Sequence, residues 1–174
     1  MGDPKKQRKK FSKPDHPWRK ERIESEKEIV QQYGLKRKQE IWKMDSMLKK
    51  FLNRAKSLIA QRSAQSELEK KQLLSRLHTL GLLKKDSRIE DILNLTLKDV
   101  MERRLQTLLC RKNLSNSMLQ SRQFITHEFV AVGNRKITSP SHLISLQEEP
   151  NIKLVKAMNL MQNTKEQKAE KPKE

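Results

Sequence analysis

Residues 101–146 read MERRLQTLLCRKNLSNSMLQSRQFITHEFVAVGNRKITSPSHLISL. Met101, Leu105, Leu108 and Leu109 fall on one stripe, at the spacing an α-helix needs to dock on a core. Arg103, Arg104, Arg111 and Lys112 stand between them and are expected to stay available to a polyanion. Ser117 offers an N-cap, and Gln120 three residues later completes a capping box that starts a second helix. That helix buries Phe124 and Ile125 and presents Arg122 and His127. The alternating run Phe129-Val130-Ala131-Val132, the two-residue turn signal Gly133-Asn134 and then Arg135-Lys136-Ile137 predict a small β-ribbon. A basic rim around a rigid αα–β unit suits folded RNA.

Working outward, the whole chain shares this charge. Lys and Arg number 39 against 21 Asp and Glu, a net +18 over 174 residues. Self-repulsion of that size does nothing for folding, so a polyanionic partner accounts for it better than a solvated surface does. Aromatic residues are only 4%, which argues against extended stacking on unpaired bases and for shape and phosphate recognition.

Other classes are disfavoured. The single cysteine, Cys110, excludes an internal disulfide framework and a multi-cysteine zinc site, and reads as a small buried hydrophobe. No run approaches the roughly 20 apolar residues of a membrane span. The N-terminus has no apolar signal region, and Lys6 stands where a myristoylation signal has Ser or Thr, so an intracellular protein is expected. There is no Gly-rich phosphate loop, paired-His metal spacing or nucleophile elbow, and His16, His78, His127 and His142 are scattered. A non-enzymatic protein with no cofactor, metal or small-molecule substrate is the expectation.

Residues 1–20 carry eight basic groups against Asp3 and Asp15, with three prolines. Such an arm is expected to be disordered alone and to order on RNA, a localisation signal being the competing reading of residues 5–10. Trp18 reads first as an anchor packing on the protein's own helices and second as a stacking platform. Residues 21–100 read as helical. Ile23, Ile29, Val30 and Tyr33 form a stripe that Gly34 ends. Ile41, Met44, Leu48, Phe51, Leu52, Ala55, Leu58 and Ile59 predict a long amphipathic helix, with Lys43, Lys49, Lys50, Arg54, Lys56 and Arg62 on its other face. Leu68, Leu73, Leu74, Leu77 and Leu80 predict another, stopped by Gly81. A short helix with Ile89, Ile92 and Leu93 apolar follows Asp86-Ser87. Residues 143–146 and 152–155 are expected to be strands, and residues 158–174, polar and nearly charge-balanced from Gln162 on, a disordered tail. The expected architecture is α+β: a basic arm over 1–20, a helical domain over 21–100 and an αα–β-ribbon domain over 101–157.

The ribbon domain resembles the S-four RNA-binding domain through Arg104-Leu105, Ser121 to His127, Val130-Ala131-Val132 and Ser139-Pro140-Ser141. That family usually has Gly and then His after the matching histidine, where this chain has Glu128 and Phe129, and its turn order is Asn-Gly rather than Gly133-Asn134. Gly2-Asp3-Pro4-Lys5, Arg8 to Phe11 and His16-Pro17-Trp18 extend the likeness, as do Tyr33 to Lys36, Glu40 to Lys43, Leu80 to Leu83 and Glu102 to Thr107. Over residues 1 to roughly 147 the chain resembles the archaeal and eukaryotic type of the small-subunit ribosomal protein S-four family. The resemblance implies a structural ribosomal constituent that binds folded small-subunit rRNA early, nucleates assembly and supports accuracy. It also implies a cytoplasmic location on the ribosome, neighbouring small-subunit proteins as partners and no obligate homo-oligomer. A nucleolar assembly factor with the same module is the alternative, and an accessory subunit of an RNA-modifying enzyme a third reading. The residues expected at RNA are Lys5, Lys6, Arg8, Lys9, Lys10, His16, Trp18, Lys49, Lys50, Arg54, Arg103, Arg104, Arg111, Lys112, Arg122, Gln123, His127, Arg135 and Lys136.

Overall fold

The computed structural model describes Gly2, residues 9–61 and residues 63–155. Lys5, Lys6, Arg8, Arg62 and the expected tail over 158–174 lie outside the described residues. The architecture is α+β, and the chain divides into two compact units, Met1–Arg103 and Arg104–Glu174.

In the first unit, helix α1 (Lys20–Gln32) ends where the sequence says it should. Gly34 sits at φ 56°, its N–H on Gln31 O, and Leu35 N–H returns to Val30 O at 3.0 Å, the paired bonds of a Schellman stop. Helix α2 (Lys38–Ala60) buries Ile41, Met44, Leu48, Phe51, Ala55 and Leu58, the expected stripe, while Leu52 is half-buried and Ile59 exposed. Helix α3 (Ala64–Thr79) is opened by Ser63 and Ser66, which bond each other's backbone N–H at 3.2 and 3.1 Å. Leu73 and Leu77 face inward, but Leu68 is exposed, so the predicted stripe starts a turn later. The segment after Asp86-Ser87 is a 3-10 helix (Ile89–Asn94) that buries Ile92 and exposes Leu93. Phe51, Ala55, Leu58, Leu73, Leu77 and Ile92 form one core cluster.

Helix α4 (Leu97–Glu102) is capped by Thr96 and Asp99 and contains Met101. The single helix expected from Met101 onward is thus two helices. Arg103 closes α4, and Arg104 turns extended (φ −75°, ψ 142°) before α5 (Leu105–Arg111). The reason is long-range. Arg104 makes an antiparallel bridge with Leu143, and Leu105 N–H donates to His142 O at 2.8 Å, which a continuous helix would forbid.

In the second unit, Asn113 at φ 56° ends α5, and α6 (Met118–Thr126) follows. Ser117 Oγ accepts Gln120 N–H at 3.2 Å as expected, but Gln120 Oε1 reaches one residue further back, to Asn116 N–H at 2.7 Å. The box is therefore offset rather than reciprocal. Strands β1 (Val130–Val132) and β2 (Arg135–Lys136) form the expected hairpin, with Val132 opposite Arg135. Gly133 is at φ 60° and Asn134 is not in the positive region, so the turn needs glycine first, which is the order present. Strand β3 (Ile152–Leu154) pairs antiparallel with the other edge of β1, giving the order β2-β1-β3. Residues 143–146 are not a strand: Leu143 makes only its bridge to Arg104, and Ile144 is buried as a core plug. Leu105, Leu108, Leu109, Phe124, Ile125, Val130, Val132, Ile144 and Ile152 build this core. Cys110 is half-buried rather than enclosed. Among the described residues no helix is long and apolar enough to cross a membrane.

Glu128 is the C′ residue of α6, at φ 62°, with its N–H on Ile125 O and Phe129 N–H on Phe124 O. This is the Schellman position that glycine takes at no steric cost. Glu128→Gly is expected to stabilise the second unit by about 1 kcal/mol, read as a rise in Tm, because a Cβ in the left-handed region costs that much. An unchanged or lowered Tm would refute this account of the position.

Candidate nucleic-acid interface

Each unit carries its own basic surface. In the second unit, α5 and its cap present Arg111, which is exposed, and Lys112, which is half-buried and donates its ammonium to Glu149 O. Helix α6 places Gln123 in solvent and Arg122 half-buried. His127, the C-cap, is exposed and stacks on Phe129 (centroids 6.0 Å apart, planes at 26°), and Phe129 in turn meets the core ring of Phe124 at 6.2 Å. That row of rings fixes the imidazole at the surface. Arg135 and Lys136 are both exposed on β2 and line a cleft with Thr138, Ser139, His142 and Glu148.

His142 was not among the residues expected at RNA. Only the turn over 139–142, which returns the chain toward β2, brings it there. Glu148 accepts Ser145 N–H and its hydroxyl at 3.0 and 2.8 Å. The backbone bond first, the hydroxyl bond next and the nearby His142 last hold this carboxyl below its ordinary value. Its contribution to stability is present above the ordinary carboxylate range and is lost as pH falls through the lowered value.

Arg104 is the main correction. It was expected between apolar positions with its guanidinium free for a polyanion, but it is completely buried (0% exposed). The unit also encloses other polar groups: Gln106 Nε2 donates to Met118 O at 2.9 Å, Ser121 Oγ to Ser117 O at 3.1 Å, and Ser115 and Ser121 bond each other. Arg104 is thus an enclosed residue of the second unit, tied through its backbone to Leu143.

In the first unit, Lys10, Lys50 and Arg54 are brought together in a cleft with Lys43 and Arg76, over a floor of Met44, Met47, Phe51 and Leu73. The Arg76 guanidinium lies 5.9 Å from the Phe51 ring centre. Sequence reasoning missed Arg76, because its place opposite Lys50 depends on how α3 docks on α2. Arg54 is shared with Glu69 at 3.4 Å, and Lys49 with Asp45 at 2.8 Å, so both carry less free charge than a count of cations implies. Arg103 is half-buried at the end of α4.

Apart from Gly2, the arm is described from Lys9 onward. From Lys9 to Arg19 it has no helix or strand, yet Phe11 packs on the Trp42 ring at 6.0 Å with Lys9 above it, and Ser12 N–H donates to Ser46 Oγ at 3.2 Å. His16 is exposed. Trp18, expected as an anchor on the protein's own helices, is 89% exposed; Phe11 does that packing instead.

The S4 domain family model matches residues 103–149, which covers the second unit's helices and hairpin. The chain is 48% identical over 150 residues to the small ribosomal subunit protein uS4 of Saccharolobus solfataricus strain P2, covering 86% of this chain and 83% of that protein. It is 46% identical to the small ribosomal subunit protein uS4 of Saccharolobus islandicus strain L.S.2.15, over the same shares. With most of both lengths matched at nearly half identity, the chain belongs to the small ribosomal subunit protein uS4 family.

Proposed function

We propose that this protein is a structural constituent of the small ribosomal subunit that binds folded small-subunit rRNA. The observation that carries this reading is the 48% identity across 83% of a ribosomal uS4 protein. Exposed Arg111, His127, Arg135 and Lys136 in one unit, and the cationic cleft in the other, give it a physical means. Binding is early, so that later small-subunit proteins find a formed RNA junction, and it supports translational accuracy. The protein works on cytoplasmic ribosomes beside neighbouring ribosomal proteins, without catalysing a reaction of its own.

Sucrose-gradient fractionation of a native lysate, with the protein quantified after a high-salt wash, tests this. One copy per mature small subunit and presence on translating ribosomes is the expected result. Confinement to precursor particles would make it an assembly factor, and recovery only in light fractions would make it an accessory subunit elsewhere. Affinity for the rRNA should also fall steeply with salt. If ten phosphates are neutralised, the slope of log K against log salt is roughly −7 to −9, and a flat response in a filter-binding titration would contradict the proposal.

A further inference from the structure

Residues 12–18 form no regular element, but they are held in place by a buried carboxylate. Glu26 is 6% exposed and accepts Arg22 Nη1 and Trp42 Nε1, each at 3.0 Å, with Lys38 Nζ at 3.3 Å. Burying a carboxylate is tolerable only with such partners. Arg22, fixed by Glu26, then donates its other nitrogen to His16 O at 3.1 Å and Pro17 O at 2.8 Å. The clamp ends at the residue before Trp18, whose indole is 89% exposed with no ring or hydrogen-bond partner among the described residues.

Beside it, Pro17 shares a cleft with Lys13, Pro14, Arg37, Lys38 and Gln39. Lys13 and Arg37 are exposed and have no acidic partner among the described residues. The cleft's one lining carboxylate, Glu26, is already matched by Arg22 and Lys38. What is left over is a flat aromatic face and uncompensated positive charge. Single-stranded RNA is read by that pair of features: bases stack on aromatic faces while basic side chains track the phosphates. An acidic peptide would use the charge but has no group that needs a planar face.

We infer that Trp18 and the adjoining cleft form a binding site for one unpaired RNA nucleotide, with its base stacked on the indole and its flanking phosphates at Lys13 and Arg37. The site rests on the rRNA-binding reading above and adds to it a point of base contact in the first unit. The clamp lowers the entropy cost of the contact, because Arg22 holds the carbonyls of His16 and Pro17 next to Trp18.

The test compares the full chain with Trp18→Ala, Trp18→Tyr, Lys13→Ala and Arg37→Ala, binding transcribed small-subunit rRNA at low and at high salt. Trp18→Ala is expected to weaken binding about tenfold at both salt concentrations, since stacking on one base is sequence-tolerant and not ionic. Trp18→Tyr should recover most of that loss. Lys13→Ala and Arg37→Ala should instead each flatten the salt slope by about 0.7–0.9. If wild type binds rRNA and Trp18→Ala binds equally well, the site is overturned and a protein neighbour becomes the occupant of the indole. If wild type itself does not bind rRNA, the functional reading has failed instead. Trp18 supports no packing, so the variant's melting curve should match wild type.

Discussion

Arg104→Ala is expected to destabilise the second unit by about 3–5 kcal/mol, the cost of emptying a completely enclosed site of its large side chain. The side chain is completely buried, and its own backbone makes the bridge to Leu143 and accepts Leu108 N–H at 3.0 Å. Loss of its volume adds a cavity term next to Leu105. Arg104→Lys should be nearly as harmful, because an ammonium cannot reproduce the planar fork of donors. The second unit contains neither Trp nor Tyr, so hydrogen exchange over residues 105–155 is the suitable measurement. Protection should collapse there and persist in α2. A variant that stays fully protected while losing rRNA affinity would return Arg104 to the role of a phosphate contact.

The second large effect is at Glu26. Glu26→Ala strands Arg22, Lys38 and the Trp42 indole N–H at once. Arg22 keeps a quarter of its side-chain exposure and Lys38 nearly half, so water can take up part of the loss. The expected destabilisation of the first unit is about 2–3 kcal/mol, below the range for a fully enclosed pair. Trp18 and Trp42 both lie in this unit, so a fluorescence melt reports on it directly. A second consequence separates this from a simple packing defect. Freed from the clamp, the segment over 12–18 must be ordered by RNA instead, so rRNA binding should weaken even well below the melting temperature. Glu26→Gln keeps an acceptor for Arg22 and Trp42 and should lie between the two. Wild-type stability in Glu26→Ala would show that the three partners do not depend on the carboxylate.

Much of this molecule is governed by chemistry within a few residues, and that part could be read directly. The stripe of Ile41, Met44, Leu48 and Phe51 is buried because an α-helix returns every third or fourth residue to one face. Gly34 ends α1 and Ser117 starts α6 because the bonds involved reach no more than five positions along the chain. The hairpin around Gly133-Asn134 follows for the same reason. The likeness to a ribosomal family was legible too, in motifs spread from Gly2-Asp3-Pro4 to Ser139-Pro140-Ser141.

Tertiary structure alone decided the rest. Met101 and Leu105 share a helical stripe in the sequence, yet the chain breaks between them, because Arg104 pairs with Leu143 almost forty positions away. Residues 143–146 have strand-like composition, but the open edge of β1 goes to residues 152–154. Arg104 carries the same charge as Arg111, and one is enclosed while the other is in water; convergence of distant segments on a side chain determines which. Arg76 joins Lys50, and Phe11 rather than Trp18 finds a surface to pack on, through the same kind of long-range docking. Helix period, caps and turns are set by neighbours along the chain, whereas burial and the grouping of charges are set by neighbours in space, and no local pattern encodes those.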